Sequence, residues 1–235
     1  MADNRLIVAL DFHNMEDVKR MVNELGDSVN CYKVGMELFY SVGVGVIDFL
    51  KSKGKDIFLD LKLHDIPNTV AGGLCSLMNL GVNILNIHAG GGYTMMKTAA
   101  ERLKTEAERL NVKRPKLIAV TVLTSINQED WEGLGWQISM REEVVNLARL
   151  AQRAGLDGVV ASPLEAKAIH EACGEGFMIV TPGIRPAGTA INDQSRIAIP
   201  SQALKNGATH LVVGRPIIAA DNPREAAMAI IKEMQ

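Results

Sequence analysis

The stretch FLDLKLHDIPNTV, residues 58–70, decides how the chain is read. Leu59, Leu61 and Leu63 alternate with Asp60, Lys62 and His64, so a strand here turns its leucines to one face and two opposite charges to the other. Asp65 and Ile66 follow, and then Pro67, which is well placed to begin a helix. A strand that ends in charge and runs into a helix is one βα unit.

Short aliphatic or β-branched runs recur at 5–11, 31–38, 56–65, 83–89, 116–124, 157–162, 177–184 and 210–216. Between them lie MEDVKRMVNEL, GVGVIDFLKSKG, YTMMKTAAERLKTEAERL, REEVVNLARLAQRAG, PLEAKAIHEAC and PREAAMAIIKEM. These have apolar residues near helical spacing, and glycine often closes the element. Eight strand–helix units in 235 residues, with no Pro/Gly/Ser linker, predict an α/β fold. The expected form is a single-domain (β/α)8 TIM barrel over 1–235, with a doubly wound open sheet as the main rival. One connection stands apart: PGIRPAGTAINDQSRIAIP, 182–200, has neither helical nor strand period, and its Arg185, Gln194 and Arg196 favour a binding lid.

Composition bounds the partners. A chain with 47% hydrophobic residues, 22% charged residues and a net charge of -2 lacks the basic excess of a nucleic-acid surface, so a small-molecule partner is expected. Cys31, Cys75 and Cys173 are odd in number and widely spaced, which argues against a disulfide framework or structural zinc site and for buried thiols. MADNRLIVAL carries charge and then a short apolar run, so neither a signal peptide nor a membrane span of roughly 20 apolar residues is expected, and the location expected is cytoplasmic.

In a barrel the reactive groups sit where strands end. Asp11, Lys33, Asp60, Lys62, Thr124, Ser125, Arg185 and Arg215 fall at such ends. Lys62 lies between Asp60 and Asp65, so its charged form is favoured, which makes it a proton donor and disfavours imine chemistry. The bland alternative is an ion pair in the barrel mouth with no catalytic purpose. Gly214 and Arg215 directly after the last strand read as an anion grip, strengthened by Arg185. The five histidines form no HxH or HExxH pair and are expected to be structural, so no metal is implied. HAGGGY (88–93) lacks the setting of a dinucleotide fingerprint, and no cofactor is expected. Met95, Met96, Trp131 and Trp136 read as packing residues.

LDLKLHDIPNTV resembles the signature of the orotidine 5'-phosphate decarboxylase family, and VALD, YKVG, VLTS, TPGIRP with the following Gln194, and VVGRPI resemble its other landmarks in the same order. The resemblance covers essentially the whole chain. It implies cofactor-free decarboxylation of orotidine 5'-monophosphate to UMP and CO2 in pyrimidine biosynthesis. Lys62 would protonate C6 within a charged array of Lys33, Asp60, Lys62 and Asp65, with Asp65 supplied across a homodimer interface. Asp11, and Thr69 from the partner subunit, would hold the ribose hydroxyls, while Thr124 and Ser125 would meet the pyrimidine edge, one of them in direct contact with the base. Arg185, Gly214 and Arg215 would hold the 5'-phosphate, Gln194 would bridge lid, phosphate and base, and the 182–200 connection would be a mobile phosphate-binding lid. Ile66, Pro67 and Pro182 count with the substrate-binding residues on the same resemblance. Two rivals stay open: metal-dependent sugar-phosphate chemistry on a similar DxKxxD strand, and a silent barrel that binds a nucleotide as a sensor.

Overall fold

The computed structural model describes residues 2–186 and 198–235. Eight strands, β1 (Leu6–Ala9), β2 (Cys31–Gly35), β3 (Asp56–Leu63), β4 (Ile84–His88), β5 (Lys116–Val120), β6 (Gly158–Val160), β7 (Met178–Thr181) and β8 (His210–Val213), close into one barrel in chain order. Every pairing is parallel, including β1 with β8, so the open-sheet rival is excluded.

Parallel strands buried on both faces need apolar residues at successive positions. In β1, Ile7 and Ala9 point into the barrel with Cys31, Phe58, Ile84, Ile118, Val180 and Val212, while Leu6 and Val8 pack outward beneath the helices. The leucine face of β3 behaves as its alternation requires: Leu59 is buried in the outer layer, and Leu61 and Leu63 pack against it.

The predicted helices form as α1 (Met15–Leu25), α3 (Gly45–Ser52), α5 (Gly92–Leu110), α7 (Met140–Arg153), α8 (Ala166–Cys173) and α11 (Pro223–Glu233), and α4 (Pro67–Met78) starts at the proline that announced it. Short helices α2 (Met36–Val42), α6 (Gln128–Gly133), α9 (Pro200–Lys205) and α10 (Arg215–Ile218) carry too few turns to show a period. Their starts have local causes. Asn127 and Ser139 form capping boxes at α6 and α7, and prolines open α9 and α11.

Three expectations need correction. Cys31 and Cys173 are buried thiols, but Cys75 is only partly buried because it lies on a half-exposed side of α4. Trp131 is buried, whereas Trp136 is 51% exposed and stacks on Trp131 at 5.5 Å between ring centres. The 182–200 connection is not wholly irregular: Ile184 pairs with Ala198 in an isolated parallel bridge, and α9 begins at Pro200. Gln194 and Arg196 lie outside the described residues. Among the described residues no helix is long and apolar enough to cross a membrane.

At the N-terminal end of the barrel the charges pair with one another. Asp157 accepts from both Nη atoms of Arg114 at 2.7 and 2.8 Å, from Lys116 Nζ at 3.0 Å and from Leu117 N–H at 2.8 Å. Burial pushes its carboxyl up, yet these partners hold it below the ordinary carboxylate value. The next residue, Gly158, leaves no room for a side chain, since a Cβ there would lie 2.5 Å from Met178 Cβ and closer still to the Met178 carbonyl oxygen. Gly158→Ala should therefore force β6 from β7 and lower the unfolding free energy by about 3 kcal/mol, read as a reduced urea midpoint at constant slope.

Candidate active site

The C-terminal end of the barrel opens into a cavity of about 260 Å³. Three adjacent strands feed it with charge. Asp11 follows β1, Lys33 lies on β2, and Asp60 and Lys62 lie on β3, where Ala9 pairs with Lys33 and Gly35 with Asp60. Neighbouring parallel strands thus place successive groups side by side. Lys33 Nζ stands 3.3 Å from Asp11 Oδ1 and 3.5 Å from Asp60 Oδ2, and Lys62 Nζ stands 2.7 Å from Asp60 Oδ1. The result is a chain of alternating charge: acid, base, acid, base.

Burial pushes the Asp60 carboxyl up, but the ammonium groups of Lys33 and Lys62, with hydrogen bonds from Lys62 and Asn86, hold it below the ordinary carboxylate value. Asp60 is therefore charged at neutral pH, and the site keeps two ammonium groups directed at one shielded carboxylate. Two glycines leave room for this array. A Cβ at Gly35 would come within 3.0 Å of Lys33 Nζ, and one at Gly214 within 3.2 Å of Asp11 Oδ2.

The backbone at Lys62 is unusual. Its φ is 51°, in the left-handed region that costs a non-glycine residue about 1–3 kcal/mol. The cause is a bulge: Leu59 pairs with Leu85 and Leu63 with Ile87, so four steps along β3 match two along β4. Asn86, fully buried between those β4 positions, accepts from Lys62 N–H at 2.8 Å and donates to Asp60 Oδ1 at 2.6 Å. Sequence reasoning passed over Asn86. Its signal was present, because Asn86 shares an inward-facing alternation with Ile84 and His88 in ILNIH, where a polar residue needs a partner.

Pro182, Gly183, Arg185, Gly214 and Arg215 line the same cavity, so the two predicted anion-binding arginines share its wall. Arg185 is buried, its main chain held by the Ala198 carbonyl at 3.0 Å and its Nη1 by the Ile184 carbonyl at 3.1 Å. Arg215 opens α10 directly after β8. Part of the wall is apolar, built by Phe58, Val120, Val122, Val160 and Val212. Thr124 lines the cavity, and Ser125 does not.

Besides Ser125, four predicted residues stand apart from this cavity within the chain. Asp65, Ile66 and Thr69 are exposed and Pro67 is half-buried, all at the turn from β3 into α4. The Asp65 carboxylate accepts from Ile66 N–H at 2.6 Å. His64 and His88 are in ring contact at 5.4 Å beside the array, and burial, with His64 and Lys62 nearby, holds His88 below the ordinary imidazole value. Among the described residues no three His, Cys, Asp or Glu side chains are grouped to hold a metal ion.

A larger cavity, about 710 Å³, opens at the other end of the barrel, where the polar groups already pair with one another: Arg114 and Lys116 with Asp157, and Thr209 with His210. In this architecture that end serves stability and the C-terminal end serves chemistry.

Comparison with known proteins agrees with this geometry. The family model described as "Orotidine 5'-phosphate decarboxylase / HUMPS family" matches residues 4–230. The orotidine 5'-phosphate decarboxylase of Carboxydothermus hydrogenoformans is 52% identical over 231 residues, 98% of this chain and 96% of that relative. That of Moorella thermoacetica is 47% identical over 235 residues, 100% of this chain and 93% of that relative. The crystal structure of orotidine 5'-phosphate decarboxylase from Lactobacillus acidophilus superposes with a TM-score of 0.87 at 44% identity, covering 99% of this chain and 100% of that one. With its barrel, its charged array and full-length matches of this strength, the chain belongs to the orotidine 5'-phosphate decarboxylase / HUMPS family.

Proposed function

We propose that the chain converts orotidine 5'-monophosphate to UMP and CO2 in pyrimidine biosynthesis, without a cofactor, with Lys62 as the catalytic acid. The observation that carries this is the Asp60 carboxylate gripped by Lys62 at 2.7 Å and by Lys33 at 3.5 Å in a cavity with an apolar wall. The names of the full-length relatives favour the decarboxylase over the sugar-phosphate branch of the family.

The chemistry follows from charge. Breaking the bond between C6 and its carboxylate leaves an electron pair in the ring plane, which cannot spread into the π system. A fixed ammonium aimed at C6 stabilises that pair as it forms and then delivers its proton to the carbon. Lys62 has that role, while Lys33 keeps Asp60 ionised and in place. Asp60 beside the substrate carboxylate adds a repulsion that fades as neutral CO2 leaves, a secondary contribution. The apolar wall suits an uncharged product. Asp11 holds ribose hydroxyls, Thr124 or Ser125 meets the base, and Pro182, Arg185, Gly214 and Arg215 take the phosphate end. The expected lid at 182–200, with Gln194, falls largely on residues outside those described.

Asp65, Ile66, Pro67 and Thr69 complete a neighbouring site in a homodimer on this reading. What supports it is their position outside their own cavity, on the surface turn after β3, where they are free to reach another chain. Soluble and cytoplasmic, the dimer needs neither membrane nor nucleic acid.

The decisive experiment follows ultraviolet loss of orotidine 5'-monophosphate in excess chelator. Native protein should form UMP rapidly, and Lys62→Ala should be slower by at least about 1000-fold; a well-folded native protein that forms no UMP, or one that needs metal, would return the reading to the sugar-phosphate rival. Arg215→Ala should lower kcat/KM for the phosphorylated substrate about 10- to 100-fold while hardly changing turnover of orotidine itself, with equal losses on both substrates removing the phosphate role. Mixing inactive Lys62→Ala and Asp65→Ala subunits should restore activity through heterodimers that hold one intact site; failure despite verified exchange would assign Asp65 to its own chain's site.

A further inference from the structure

Asn86 lies on β4 with no exposed surface, and none of the steps above uses it. Its two amide atoms meet the two charged residues of β3 at the bulge: Oδ1 accepts from Lys62 N–H at 2.8 Å, and Nδ2 donates to Asp60 Oδ1 at 2.6 Å. Regular pairing resumes only at Leu63 with Ile87, so a side chain stands where a strand carbonyl would ordinarily receive the Lys62 N–H. Only one orientation of the amide satisfies both contacts. Flipped, its oxygen would face a carboxylate and its NH2 a backbone donor.

We infer that Asn86 is a positioning residue for the decarboxylation: it fixes the Asp60 carboxylate against the left-handed Lys62 backbone and thereby aims the Lys62 ammonium at the reacting carbon. The inference rests on the function proposed above. Asp60 Oδ1 accepts from Lys62 Nζ at 2.7 Å as well as from Asn86, so two donors share one oxygen. In the reaction the bond from C6 to the carboxylate breaks, CO2 leaves, the electron pair stays on C6, and a proton moves from Lys62 Nζ to C6; the neutral amine is later reprotonated from solvent. When the lysine loses that proton, Asp60 loses part of its cationic support at the same oxygen. The Asn86 hydrogen bond persists through this change, and because the amide is uncharged it holds the carboxylate without altering the charge balance of the array.

Two variants test this. Asn86→Ala should lower kcat by about 10- to 100-fold, the usual effect of removing a partner that orients a functional group, while KM changes little because the phosphate and ribose contacts are untouched. Asn86→Asp keeps the shape but sets a carboxyl against Asp60. Around it stand Asp60 and Lys62 from β3, Lys33 of β2 behind Asp60, His88 two residues along β4, and Ile118 alongside from β5, which adds no charge. Two carboxyls this close share a proton, and the protonated form can donate to Asp60 as Asn86 does. Asn86→Asp should therefore regain kcat as pH falls and lose it as pH rises through the shared ionisation, a limb absent from native protein and from Asn86→Ala. A loss caused only by loosened packing would not follow pH in this way. Native kcat in folded Asn86→Ala, or a pH profile of Asn86→Asp parallel to native, overturns the positioning role alone; if Asn86→Ala fails to fold, the pH limb of Asn86→Asp decides. Native protein without turnover overturns both this role and the function it serves.

Discussion

Removing a carboxylate from water costs several kcal/mol unless charge partners and hydrogen-bond donors take the place of the lost solvent. Asp60, nearly buried at the barrel mouth, meets that requirement through Lys62, Lys33 and Asn86 together. Removing one partner would leave the others mismatched, so the group stands as a unit. The barrel makes the unit possible because β1, β2 and β3 are neighbours in register, which brings Asp11, Lys33 and Asp60 into sequence without long side-chain reach. The glycines at 35 and 214 then follow as a steric consequence: any larger residue would push on Lys33 or Asp11.

Much of this could be read directly from residue order. Alternation in LDLKL separated a helix-facing leucine layer from a cavity-facing pair of charges, and the three-dimensional arrangement keeps that division. The βα repeat announced parallel strands joined by helices, but an open doubly wound sheet buries both faces as well, and only the pairing of β1 with β8 closes the barrel. Other features depend on contacts that no local pattern encodes. The positive φ of Lys62 has no propensity signal, because lysine does not favour that conformation; it arises from the register jump against β4. Asn86, a polar residue on the inward face of an apolar strand, signals that it needs a partner, but residue order does not say which groups it meets. Thr124 and Ser125 are adjacent and chemically alike, and only the course of the loop after β5 puts Thr124 on the cavity wall. Trp136 looked like core, yet one indole face on Trp131 was enough to anchor it at the surface.

On the proposed function, affinity and chemistry would fall to different groups of the cavity. Asp11, Lys33, Asp60 and Lys62 contribute two negative and two positive charges, so the array is formally neutral. Attraction for an anionic substrate must then come from elsewhere, and on the proposed function Arg185 and Arg215, which line the same cavity, would supply it. A phosphate held there is unchanged by the reaction, so that contact is equally strong in the ground state and the transition state and by itself adds nothing to kcat. On the proposed function its use would be to hold the base against the array, including an acid beside the substrate carboxylate that a free molecule would avoid.

A neutral array has a further consequence for the transition state. If the cluster carried net positive charge, it would bind the substrate carboxylate strongly and stabilise the state the reaction must leave. With Asp11 and Asp60 balancing the lysines, the array has no net positive charge to stabilise the substrate carboxylate, whereas on the proposed function the ammonium of Lys62 would be fully engaged only as charge gathers at C6. Interactions that strengthen along the reaction coordinate are the ones that accelerate it. If Lys62 is the proton donor of the proposed reaction, the angle at which it leaves the strand matters as much as its charge, and that angle is set by the bulge, strained at one residue and tied by Asn86 to the next strand.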